Sequence, residues 1–99
     1  MNTQNPSILI VDDERRLRSL LRVTFSAAGY DVHAAADVPE AMQMCGTKSF
    51  DVVLTDVRMP GLTGHDLARW LAKYHPATRS CVADGTRRPR FVALGGDQQ

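Results

Sequence analysis

Three aspartates carry the chemistry that this sequence could do. Asp12 and Asp13 directly follow the apolar run Ile8, Leu9, Ile10 and Val11, and Asp56 directly follows Val52, Val53, Leu54 and Thr55. If the two runs lie side by side as parallel strands, their ends bring the acidic pair close to Asp56. Carboxylates at ~4 Å repel by about 4 kcal/mol per pair where the effective dielectric is near 20. A divalent cation relieves that repulsion, and hard oxygen ligands with room for water favour Mg²⁺ or Mn²⁺. The same cation would neutralise charge on a phosphoryl group in transfer. An Asp at its edge is then a nucleophile of the type that forms covalent phosphoenzymes. The plainer reading of Asp12 and Asp13 is capping of a following helix, a role compatible with metal binding. For Asp56 the plainer reading is a turn residue at a strand end.

The elements that must position these residues are legible as alternating strands and helices. The first run is short, rich in β-branched residues and apolar throughout, the pattern of a strand buried on both faces of a parallel sheet. Leu17, Leu20, Leu21, Phe25 and Ala28 then recur at three- and four-residue steps, with Arg15, Arg16, Arg18 and Arg22 between them. This predicts an amphipathic helix with a solvated basic face, ended by Gly29 in the left-handed conformation. Residues 30–35 form a weaker strand. Asp37, Val38, Pro39 and Glu40 open a short helix through Ala41, Met42 and Cys45, with Asp37 as cap and Glu40 reaching back. Residues 51–55 are a third strand ending on Asp56, and Met59, Pro60, Gly61 and Gly64 mark a tight loop. Leu67, Trp70, Leu71 and Tyr74 define a third helix, stopped by His75 and Pro76. Such alternation implies an α/β domain with right-handed crossovers, helices on both faces, and function at the carboxyl ends of the strands.

Composition narrows the function classes. The chain has 99 residues, 43% hydrophobic and 23% charged, with 12 basic against 11 acidic side chains for a net charge of +1. This is the size of one domain and the balance of an ordinary globular protein. Charge names no polyanionic partner, and no helix-turn-helix segment follows, so direct nucleic-acid binding is not expected. No 18-residue apolar run or secretory pattern is present, which predicts a cytoplasmic protein without membrane contact. Cys45 and Cys81 lack metal or redox spacing and read as reduced, inert thiols. His33, His65 and His75 share no spacing and read as surface or packing residues, as do Trp70 and Tyr74.

The two acidic segments resemble a known family. Ile8 to Glu14, followed by Leu17 and Leu21, is similar to the opening of response regulator receiver domains. Residues 51–64, centred on Asp56 and running through Arg58, Met59, Pro60 and Gly64, are similar to their phosphorylation strand and loop. The separation of 43 residues between Asp13 and Asp56 suits that family as well. The resemblance covers about residues 7–84 and implies a flavodoxin-like, doubly wound parallel sheet. It implies that Asp56 is the phosphoacceptor for a sensor histidine kinase or phosphotransfer protein in a two-component phosphorelay. It further implies that Asp13 binds Mg²⁺ directly, that Asp12 assists, and that Arg58 lends its backbone carbonyl. Such a domain is no enzyme in the ordinary sense, although it assists its own phosphoryl transfer and dephosphorylation. In the family, the arginine-bearing face of the first helix contacts the kinase's phosphotransfer helix.

The pattern departs from the family after the third helix. The fourth strand falls at residues 79–83, where a following Ser or Thr hydroxyl normally senses the phosphoryl group. Here Asp84 takes that switch position, with Thr86 two residues late. An alternative alignment puts the fourth strand at residues 91–94. The family's fifth strand supplies a Lys to the phosphoryl oxygens, whereas the only lysines here are Lys48 and Lys73. The expectation is therefore three to four strands without the usual fifth strand and last helix, followed by an atypical, disordered segment at 85–99. An exposed sheet edge would favour a homodimer. A degenerate receiver, acting as an interaction or dimerisation module without productive phosphorylation, is the alternative function. A haloacid-dehalogenase-type phosphohydrolase ranks below both, because its general acid would fall on Arg58.

Overall fold

The structure is a computed structural model and describes residues 5–56 and 61–83. Its elements alternate as β1 (Ser7–Val11), α1 (Arg15–Ala27), β2 (Asp31–Ala35), α2 (Val38–Thr47), β3 (Val52–Asp56), α3 (Gly64–Tyr74) and β4 (Arg79–Ala83). The four described strands form one parallel sheet in the order β2-β1-β3-β4. The chain thus winds outward from β1 to one side, returns, and winds to the other. Residues 79–83 form the fourth strand as expected, while Arg58, Asp84, Thr86 and the segments 85–99 and 91–94 lie outside the described residues.

Side chains alternate across the strands, so each strand feeds two faces. Leu9, Val11 and Val53 join Ala41 and Cys45 of α2 and Leu67 and Leu71 of α3 in the main core. Ile8 and Ile10, buried as deeply, take the opposite face, and α1 packs on β1 and β2. Burying each such aliphatic side chain contributes about 1.5–3 kcal/mol relative to exposure. At the amino edge, Ser7 N–H donates to Asp51 Oδ2 at 2.7 Å, Asp51 N–H returns a bond to Ser7 O at 3.0 Å, and Arg79 N–H donates to Asp51 O at 3.0 Å. These bonds lock the register that sets Val11 beside Thr55.

The helix ends follow local chemistry closely. Gly29 has φ +101°, with Gly29 N–H donating to Ser26 O and Tyr30 N–H to Phe25 O at 3.0 Å each. That double bond pattern is the Schellman motif, and the accompanying apolar contact is an edge-on pair of the Phe25 and Tyr30 rings with centroids 5.5 Å apart. Asp37 Oδ1 accepts from Glu40 N–H at 2.9 Å. Glu40 reaches back one residue further than a standard capping box, accepting from Ala36 N–H at 2.8 Å. Thr63 and Asp66 form the full reciprocal box at the start of α3.

The expected apolar face of α1 needs correction. Leu17, Leu21 and Phe25 are half-buried, but Leu20 is 60% exposed, Ala28 is exposed, and the helix buries no residue fully. The reason is geometric. Leu20 belongs to the stripe Arg16, Leu20, Val23, Ala27, which turns away from the sheet once Leu17, Leu21 and Phe25 face it, and Val23 is 69% exposed on the same stripe. Trp70 packs half-buried against the core, whereas Tyr74 is 57% exposed.

Candidate functional site

The carboxyl edge of β1 and β3 gathers the acidic residues. Asp12 extends the ladder one step past β1, its N–H donating to Ala35 O at 3.1 Å, and it is buried at 5% exposure. Asp56 is the last residue of β3, half-buried, and stands in register with Ala83 of β4. Since Val11 pairs with Thr55, the next residue of each strand is Asp12 and Asp56. Asp13 and Glu14 follow on the exposed loop into α1.

The electrostatics of Asp12 record this convergence. Burial pushes its carboxyl above the usual carboxylate range, the N–H of Glu14 donating to Asp12 Oδ1 at 2.8 Å pulls it back, and the charges of Asp56, Asp13 and Glu14 push it up again. Asp56 is the largest of the three charge effects. Asp12 thus holds the turn into α1 through the N–H of Glu14, but the expected cap needs correction: Glu14 is the N-cap of α1 and the helix start has no side-chain cap bond, because Asp12 stands two residues too early to reach the first-turn N–H groups. Among the described residues, no three His, Cys, Asp or Glu side chains stand as a ready-made metal cage. A Mg²⁺ site does not need one, because this ion keeps several waters and takes only one or two carboxylates.

Three neighbours of the site escaped the sequence reading. Arg18, read as part of a solvated face, is instead half-buried, and its Nη1 donates to Asp12 O at 2.8 Å. Its spacing to Leu21 and Phe25 was the available clue, since steps of three and four put all three on one side of α1. Thr55 is 1% exposed and its hydroxyl donates to Asp56 O at 3.1 Å. Gly64, read only as a loop marker, is the first residue of α3 and lies against the Asp56 carbonyl. No local pattern reports that approach, because it joins residues eight positions apart across a loop.

Other expectations resolve plainly. Cys45 and Cys81 are free thiols, and burial pushes both above the usual thiol range, which keeps them protonated and inert. His33 pairs with Asp31 at 3.4 Å and meets the Phe50 ring edge-on at 5.4 Å, a packing role at the β2 edge. No helix among the described residues is long and apolar enough to cross a membrane.

A parallel sheet wound both ways from β1, with acidic residues at its carboxyl edge, defines a flavodoxin-like α/β domain that acts from that edge. The model of the response regulator receiver domain matches residues 8–87, and the chain belongs to that family. It is similar to the response regulator protein PilR of Pseudomonas aeruginosa, at 40% identity over 70 residues, covering 71% of this chain and 16% of PilR. It is also similar to the response regulator TrrA of Thermotoga maritima solved in complex with Mg²⁺-BeF, at 28% identity and a TM-score of 0.78, covering 83% of this chain and 71% of that one. A third match is the complex of histidine kinase ThkA with TrrA, at 28% identity and a TM-score of 0.77, covering 84% and 72%. The chain thus spans only about a sixth of the length of PilR. Receiver domains are signalling domains of two-component systems rather than enzymes, and the chain is read in that class.

Proposed function

We propose that this receiver domain accepts a phosphoryl group on Asp56 from a phosphohistidine of a sensor kinase or phosphotransfer protein, with Mg²⁺ or Mn²⁺ as cofactor. The observation that carries the reading is the register that sets Asp12 and Asp56 at adjacent strand ends, where the Asp12 carboxyl is raised first by its burial and further by the charge of Asp56. An all-oxygen donor set of carboxylates suits a hard divalent ion, so the residues fit the metal. Asp12, Asp13 and Asp56 would hold it together with the Arg58 carbonyl, and the metal would neutralise charge on the phosphoryl oxygens. An Asp56 carboxylate oxygen attacks phosphorus and forms the new P–O bond. The P–N bond breaks, and the released imidazole takes a proton from solvent. The TrrA structures, one with Mg²⁺-BeF and one with a histidine kinase, support the cofactor and the partner by likeness.

The test is titration of the purified chain with beryllofluoride and Mg²⁺, followed by amide NMR, against Asp56→Asn. Shifts around Asp13 and Asp56 in the parent alone are expected. Equal responses from both proteins would refute the assignment.

A second reading is an interaction module that docks without productive phosphorylation, in the cytoplasm, as a homodimer or against a kinase. The exposed Leu20 and Val23 beside Arg15, Arg16 and Arg22 favour it. Kinase binding unaffected by Asp56→Asn would support it.

A further inference from the structure

Gly64 and Thr55 enclose the main-chain carbonyl of Asp56 from two sides. A Cβ at Gly64 would stand 2.6 Å from Asp56 O, 3.1 Å from Asp56 C and 3.1 Å from Thr55 Cγ2. Real Cβ atoms essentially never come under 3.0 Å, so any side chain at position 64 forces a retreat of at least about 0.4 Å. Thr55 adds a hydrogen bond from its buried hydroxyl to the same oxygen at 3.1 Å.

The retreat has to be taken up between the start of α3 and the end of β3. Helix α3 is anchored by Leu67 and Ala68 at 0% exposure and Leu71 at 1%. Its first turn is tied by the Thr63 to Asp66 capping box, with Thr63 N–H donating to Asp66 Oδ2 at 2.8 Å. Moving that helix disturbs close-packed core, which resists displacement. The other side of the contact is the end of β3, the last paired residue of which is Asp56.

We propose that Gly64, assisted by Thr55, is a positioning residue that sets the backbone of Asp56, and so the aim of its carboxylate at an incoming phosphoryl group. This rests on the reading of Asp56 as phosphoacceptor. Glycine is required at position 64 by contact and not by conformation, since its φ is not positive.

The experiment measures phosphorylation of the chain by acetyl phosphate with Mg²⁺, followed by intact mass. The proteins compared are the parent, Gly64→Ala, Thr55→Val, and the control Gly46→Ala, a helical glycine whose added Cβ meets nothing within 4 Å. Misplacing a reacting group by ~1 Å can cost about a hundredfold, so a shift of this size should slow the saturated rate of Gly64→Ala about tenfold. Thr55→Val should slow it several-fold. Half-saturation by the donor should stay put in both, and Gly46→Ala should match the parent. A purely structural role would lower the melting midpoint and the folded fraction yet leave the rate per folded molecule unchanged. That outcome in Gly64→Ala overturns the proposal. If Gly64→Ala does not fold, Thr55→Val decides, and a parental rate there overturns it. A parent that is not phosphorylated on Asp56 overturns the function reading first and this proposal with it.

Discussion

Replacing Asp12 with Asn should make the metal-free protein more stable and deprive it of its response to Mg²⁺. The reasoning starts from register. β1 and β3 are hydrogen-bonded neighbours, and Asp12 and Asp56 are the next residues after the Val11 and Thr55 pair. Neighbouring strands lie about 4.8 Å apart, so roughly 6 Å is the scale of separation for carboxylates at adjacent strand ends. Two unit charges at that distance repel by about 3 kcal/mol at an effective dielectric of ~20. Solvent reaching the half-buried Asp56 screens part of this, leaving about 1–2 kcal/mol. Asn retains the oxygen that accepts from Glu14 N–H, so the loop keeps its geometry while the charge disappears. The assay is thermal unfolding in EDTA and again in millimolar Mg²⁺. Each kcal/mol should move the midpoint of a domain this size by about 4–8 °C.

The pH dependence has a definite sign. The Asp12 carboxyl is raised in the folded state, so folding is favoured by its protonated form. Its relative stability contribution is complete below the unfolded pKa and is lost as pH rises through the folded one. In EDTA the advantage of Asp12→Asn should therefore vanish in acid and grow toward neutrality. A variant that is less stable than the parent in EDTA, or that keeps the parent's full midpoint rise with Mg²⁺, would refute the reasoning.

Thr63→Ala removes the hydroxyl that accepts from Asp66 N–H and should cost about 1 kcal/mol by urea unfolding. Asp66 is held below the usual carboxylate range first by the backbone N–H of Thr63. Its contribution is therefore present above the unfolded pKa and lost as pH falls through the folded one, so the gap between parent and Thr63→Ala should narrow in strong acid by the share of the Thr63 hydroxyl bond to the Asp66 carboxylate, while the share of the Asp66 N–H cap remains. Ser80 is 2% exposed and its hydroxyl has no partner among the described residues. Ser80→Ala should be neutral or stabilising by about 1 kcal/mol in the same assay, because an orphaned buried hydroxyl is costly. Leu9→Ala deletes a fully buried side chain at the centre of the core, and a loss of about 2–5 kcal/mol should broaden or abolish the thermal transition.

What could be read without coordinates was local. The Schellman end at Gly29 and the Asp37 cap depend on residues within five or six positions of each other, and the residue types that cap helices report such neighbours directly, whereas the span of β4 was legible through the spacing from Asp56 that the family resemblance implies. The acidic pair and Asp56 were recognisable too, because parallel strands buried on both faces end together at the edge where loops collect. Tertiary structure alone decided the rest. Leu20 is exposed while Leu21 is half-buried because the rotation of α1 on the sheet chooses between adjacent stripes. Arg18 reaches Asp12 O only because α1 crosses back over the end of β1. Gly64 touches Asp56 because α3 is seated by Leu67 and Leu71, and nothing in a run of letters encodes the distance between a helix start and a strand end. Sequence period specifies which way side chains face along one element, whereas contacts between elements are settled by register and packing.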